Sequence, residues 1–209
     1  MDEYEITLWR YKMQIIIAGG LPGAEKKNTI FAISKEIASK GGNVAIIITE
    51  TDGSELKNDI IDDKGIHIRE MISSCVPCTF QFDLITEIEK VIEISGVQHI
   101  VVELPFSSIP NDVKEALENM KFADVTFAPL VYVIDAMEIE PSVDMIPKLI
   151  ITQIANSQIL SVNTDKASVE KIAAIGSTLK IINSSANIIE FSMKSKGKGF
   201  ENLITSLSK

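Results

Sequence analysis

Short apolar runs alternate with longer amphipathic stretches along most of the chain. Residues 13–18 are almost unbroken apolar positions and lead into Gly19-Gly20, the pattern of a strand buried on both faces inside a parallel sheet. Residues 28–39 carry Ile30, Phe31, Ile33, Ile37 and Ala38 at helical spacing, and Lys40-Gly41-Gly42 stops them. The same alternation predicts further strands over 44–48, 99–104, 130–134, 158–162 and 179–182. It predicts helices over 83–94, 111–120, 148–156, 166–176 and 199–207. Five-residue strands alternating with longer helices call for right-handed crossovers and a mostly parallel central sheet with helices on both faces. No repeat, low-complexity tract or linker interrupts residues 13–209, which read as one domain. Residues 1–12 read as an N-terminal extension, in which Trp9 and Tyr11 could pack an extra edge strand.

Composition narrows the function classes. The 209 residues are 45% hydrophobic and carry 20 Lys and Arg against 29 Asp and Glu, a net charge of −9. That balance argues against a nucleic-acid partner, because neutralising phosphates needs a basic face, and the densest basic run is only Lys194, Lys196 and Lys198. No apolar run approaches the roughly 20 residues that cross a bilayer, and Asp2, Glu3 and Glu5 make the start unlike a signal peptide. A cytoplasmic, non-membrane protein is expected. The two cysteines, Cys75 and Cys78, are too few for a disulfide scaffold.

In sheets of this kind chemistry gathers in the loops after the strands. The loop after the first strand runs Gly20-Leu21-Pro22-Gly23-Ala24-Glu25-Lys26-Lys27. A phosphate-binding loop reads Gly, four residues, Gly, Lys, then Ser or Thr. Backbone amides and a helix N-terminus cradle the phosphates, the lysine reaches the terminal ones, and the hydroxyl holds magnesium. Gly20, Gly23 and Lys26 are in register, but Glu25 stands at the second glycine and Lys27 at the hydroxyl. A carboxylate at Glu25 faces the anion such a loop should hold, and Lys27 cannot ligate magnesium, a task left to Thr29 if the loop is remodelled. The plain alternative is an ordinary strand-to-helix turn with Lys26 solvated.

Taken in order, these loops resemble the CobW, HypB and UreG group of P-loop GTPases, metal chaperones and insertases, and CobW above all. The first loop of CobW-like proteins reads Gly-x-Leu-Gly-Ala-Gly-Lys-Thr-Thr, matched by Gly20, Gly23, Ala24 and Lys26. Their metal motif, Glu-Leu-x-x-Gly-Cys-x-Cys-Cys, is echoed by Glu70 and by Cys75 and Cys78, with Pro77 at the middle cysteine. The third strand keeps Glu103 and Pro110 of the family pattern, residues 131–136 resemble its Val-Val-Asp-Ala strand end, and Gln153-Ile154-Ala155 and Asn183-Ser184-Ser185-Ala186 resemble its late base-side segments. The resemblance implies a three-layer P-loop NTPase-like α/β fold with GTP and Mg²⁺ as ancestral ligands and a link to cobalamin biosynthesis. It places Gly20, Gly23, Ala24, Lys26, Lys27, Asn163 and Asn183 at the nucleotide.

Departures gather at the residues that do nucleotide chemistry. Phe106 replaces the switch glycine, and the guanine-reading Asn-Lys-x-Asp appears as Asn163-Thr164-Asp165-Lys166, with Asp165 one position early and pointing elsewhere. The first switch region, residues 49–53, is acidic without a clear match. Together they read as a degenerate member in which GTP hydrolysis is not expected. The smaller C-terminal domain of full CobW proteins is not expected after residue 209.

Cys75 and Cys78 are spaced to hold one soft metal, with Zn²⁺ the default and another transition metal such as Ni²⁺ allowed by family logic. Two ligands do not close a tetrahedral site, so His67, Glu70 or a second protomer would complete it. A redox Cys-Val-Pro-Cys pair and two inherited small side chains are the competing readings. Three functions follow: a CobW-like metallochaperone or cofactor-maturation protein with a degenerate GTP site, a nucleotide-binding GTPase or ATPase with an altered loop, and a non-catalytic interaction module. A client metalloprotein, an intact paralogue or a homodimer are the expected partners.

Overall fold

The computed structural model describes residues 13–21, 23–49, 60–61, 65–71, 77–94 and 96–208. The N-terminal extension over 1–12, most of the acidic segment after Thr49, and Cys75 lie outside the described residues. The chain order is β1 (Met13–Gly20), α1 (Ala24–Ser39), β2 (Val44–Ile48), β3 (Ile60–Ile61), β4 (His67–Glu70), α2 (Pro77–Ile92), β5 (His99–Glu103) and α3 (Pro110–Asn119). It continues through β6 (Val125–Phe127), β7 (Val131–Asp135), α4 (Lys148–Ala155), β8 (Ile159–Asn163), α5 (Val169–Ile182), β9 (Asn187–Phe191) and α6 (Lys198–Leu207).

The described strands form one sheet in the order β3-β4-β2-β5-β1-β7-β8-β9. Every pairing is parallel except the short antiparallel contact of β3 with β4. β6 lies beside the first half of β1 and β7 beside its end, so one side of β1 is covered in two steps.

Period-two alternation divides the strand side chains between two faces. Ile16, Ala18, Ile46, Val101 and Val133 meet Ile30 and Ile33 of α1 and Phe200, Leu203 and Ile204 of α6. On the other face, Ile15, Ile17, Ile47 and Val102 meet Leu84 and Ile88 of α2 and Val113 and Leu117 of α3. Tyr132, Ile134, Leu160 and Val162 meet Ile150 and Ile154 of α4 and Ile175 and Leu179 of α5. Because each central strand is buried on both faces, its sequence is apolar at nearly every position, which made the sheet legible. No helix among the described residues is long and apolar enough to cross a membrane.

One predicted strand is corrected. Residues 179–182 are the last turn of α5, and the final strand is Asn187–Phe191. Gly176 does not end the helix: Ile175 and Leu179, four apart, carry the buried stripe through it. A Cβ at Gly176 would meet open space, its nearest neighbour a Glu190 carboxylate oxygen at 3.9 Å. Tertiary packing outweighs the roughly 1 kcal/mol that a mid-helix glycine costs.

Candidate functional site

The carboxyl ends of β1, β5, β7 and β8 converge on the loop that joins β1 to α1. Gly23 caps α1 with φ 132° and ψ 173°, a conformation glycine adopts without penalty. At Gly20 an added Cβ would stand 2.7 Å from the Val133 carbonyl oxygen and 3.2 Å from Cδ of Lys26. Glycine there lets the lysine side chain cross the strand end.

Lys26 turns inward. It is 1% exposed, its Nζ donates to the carbonyl oxygen of Leu104 at 2.9 Å, and it lies 3.8 Å from Oε1 of Glu103. Glu103, fully buried at the end of β5, also accepts the Thr49 backbone N–H at Oε2 (3.2 Å), while its own carbonyl accepts the Thr49 hydroxyl at 3.0 Å. A buried charge is tolerated only when paired and hydrogen-bonded, and Lys26, Glu103 and Thr49 meet that need together at the start of α1, the end of β5 and the residue after β2. One turn along α1, Thr29 is fully buried, and its Oγ1 makes no hydrogen bond among the described residues.

Glu25, beside Lys26 in the first turn, reaches the opposite way. Its Oε2 accepts Nδ2 of Asn163 at 3.2 Å, a contact between residues 138 positions apart. Asn163 ends β8, is 3% exposed, and accepts the Asp165 backbone N–H at Oδ1 (3.4 Å). Glu138 completes this edge, its carboxylate 3.5 Å from where a Cβ on Gly23 would stand. Partial burial and the nearby Asp135 and Glu25 hold the Glu138 carboxyl above its usual range, against the pull of Lys166. Three carboxylates, Glu25, Asp135 and Glu138, therefore flank the loop between β1 and α1. No spacing rule pointed to Glu138; it sits three residues past β7 with no motif around it.

The structure brings Gly20, Gly23, Ala24, Lys26 and Asn163 to one end of the sheet. Lys27, half-buried, follows Lys26 on α1. Asn183 has internal bonds: its Nδ2 donates to the carbonyls of Ile154, Ala155 and Ser157, and its Oδ1 accepts Ser185 Oγ and Ala186 N–H. Asp165 points away from the loop, as its early position predicted, accepting the Ser192 hydroxyl and the Lys194 backbone N–H. Phe106 packs its ring against the cluster around Tyr132 and Ile134.

The cysteine region is divided. Cys78 lies in the first turn of α2. His67 and Glu70 are three positions apart on β4 and so project from opposite faces of that strand. Among the described residues no group of three or more His, Cys, Asp or Glu is arranged to hold a metal ion.

The family model described as CobW/HypB/UreG, nucleotide-binding domain, matches residues 14–190. Among curated proteins no sequence matches. The fold is similar to that of HypB from Helicobacter pylori in complex with nickel, with TM-score 0.63 at 12% identity over 95% of this chain and 86% of that one. It is also similar to HypB from Archaeoglobus fulgidus, with TM-score 0.59 at 16% identity over 93% and 89%. Zn(II)-bound YjiA GTPase from E. coli is similar with TM-score 0.58 at 15% identity over 84% of this chain. This chain spans 56% of the YjiA chain.

Proposed function

Because the chain belongs to the CobW/HypB/UreG family through a nucleotide-binding domain spanning residues 14–190, we propose that it is a metallochaperone or cofactor-maturation protein whose GTP site has decayed. The observation that carries this reading is the commitment of the loop's charged side chains within the protein: Lys26 to Leu104 and Glu103, Glu25 to Asn163. A loop that turned over GTP would need that lysine on the terminal phosphates and a hydroxyl on magnesium, and Lys27 cannot supply the second.

Metal handling is the remaining inherited task, and the similar HypB and YjiA structures are described with nickel and with Zn(II). Cys75 and Cys78 would supply two thiolates, with Zn²⁺ the default ligand. Two thiolates leave a tetrahedral site open, so a client metalloprotein or a second copy of the chain would close it. Titration of the reduced protein with Zn(II) and with Ni(II) by calorimetry is expected to show binding that is lost in Cys78→Ser. Equal binding by the variant would sink the metal reading. GTP with Mg²⁺ is expected to release no phosphate above the uncatalysed rate.

One observation favours a second reading, a nucleotide-binding protein with an altered loop. Thr29 Oγ1 is buried one turn beyond Lys26 without a hydrogen bond among the described residues, an arrangement that costs free energy unless something uses it. A fluorescent-nucleotide titration with saturable binding in wild type, weakened in Thr29→Val, would select this reading over the first.

A further inference from the structure

We infer that Glu25 is a built-in anion that occupies the N-terminal turn of α1 and latches the phosphate loop to Asn163, shutting the site against polyphosphate. The inference rests on the decayed-site reading above and names the residue that closes the site.

A helix N-terminus attracts negative charge because its first backbone N–H groups lack intrahelical partners and its dipole is positive there. In a phosphate-binding loop the ligand supplies that charge. Here the second residue of α1 supplies it. Glu25 is fixed rather than loose, since Asn163 Nδ2 donates to its Oε2 across the gap between α1 and β8. Its charge is felt by its neighbours: together with Asp135 it holds the Glu138 carboxyl above the usual range, after partial burial. A polyphosphate approaching Gly23 would meet the charges of Glu25, Asp135 and Glu138 before it met Lys26, and Lys26 is buried against Leu104. The same bond uses an N–H of the Asn163 amide at the end of β8, so one contact spans the crevice from α1 to β8.

Glu25 stands where the loop pattern has glycine, so the latch is removable by one substitution. Calorimetric titration with inorganic pyrophosphate, which has no base, is the direct test on the full chain. Wild type is expected to bind weakly. Glu25→Gly is expected to bind at least ~tenfold more tightly, and Glu25→Gln, which removes the charge but keeps an acceptor for Asn163, to fall between them. Asn163→Ala, which frees the carboxylate without touching the loop, is expected to gain less than Glu25→Gly. Thermal melting establishes that each variant is folded, and the glutamine variant carries the test if the glycine variant is not. Pyrophosphate affinity in a folded Glu25→Gln or Glu25→Gly no greater than in wild type overturns the latch. GTP hydrolysis by wild type overturns the decayed-site reading instead, so the two failures are distinguishable.

Discussion

The amide of Gln153 ties together three segments that are far apart in sequence. Its Nε2 donates to the carbonyls of Phe106 and Ser108, at 2.6 and 2.8 Å, and its Oε1 accepts the Tyr132 hydroxyl at 2.9 Å. Tyr132 is fully buried, and that burial pushes its phenol well above the usual range. Truncation would leave several of these buried groups unmet, at ~1–3 kcal/mol for each one that finds no water. Gln153→Ala is therefore expected to lower stability by about 3 kcal/mol in urea titration, with Gln153→Glu also destabilising, because a carboxylate cannot donate to the two carbonyls. Lys26 makes a parallel case. Lys26→Met strips a buried carboxylate of a cationic neighbour, and the expected loss is about 3 kcal/mol. Lys26 and Asn163 were recognisable in sequence because a fixed spacing marks them. Glu138 was not, since only the return of β7 toward Gly23 gives it a role.

Elements were legible where one period ran long enough to dominate, as in the apolar runs within β1, β2, β5 and β7. The reading failed at the C-terminal edge, where Leu179 to Ile182 could belong to a helix or a strand by local pattern alone. The packing of Ile175 and Leu179 on Leu160 and Val162 decides for the helix. β9 is as long as β2, β5, β7 and β8 but lacks their apolar run, because Asn187 and Glu190 are exposed positions on a strand whose Ile189 and Phe191 face the core. Its placement depends on α6, which approaches so closely that a Cβ on Gly199 would stand 2.1 Å from the Glu190 carbonyl oxygen. Gly199→Ala is expected to push α6 off β9 and cost about 2–3 kcal/mol, read as a lower urea midpoint. On the opposite side, β4 is pinned to α2 by Arg69, whose Nε donates to Glu87 at 2.8 Å, while Lys90 donates to the other Glu87 oxygen at 2.6 Å.

The pH dependence of the molecule follows from groups at several places in the fold. Burial alone would raise the Glu87 carboxyl, but the hydrogen bonds from Lys90 and Arg69 outweigh it and hold the group below its usual 4.5. A carboxyl depressed on folding stabilises above its unfolded value and loses that contribution as pH falls through the folded one. Burial lowers the His99 imidazole below 6.5, so folded His99 resists protonation and stability declines as pH falls below that value. Glu138 has the opposite sign, its raised carboxyl being most favourable when protonated. Denaturation midpoints are expected to fall between pH 7 and pH 5, and His99→Gln is expected to flatten that limb. An unchanged slope would remove His99 from the account.

Fold class, the parallel sheet and family membership could all be read from residue order, because burial on both faces and motif spacing are properties of neighbouring positions. The end of α5, the strand that follows it, the inward turn of Lys26 and the union of Glu25 with Asn163 required the folded chain. Each depends on groups separated by many residues, and no local pattern encodes which of them burial and charge will bring within a hydrogen bond.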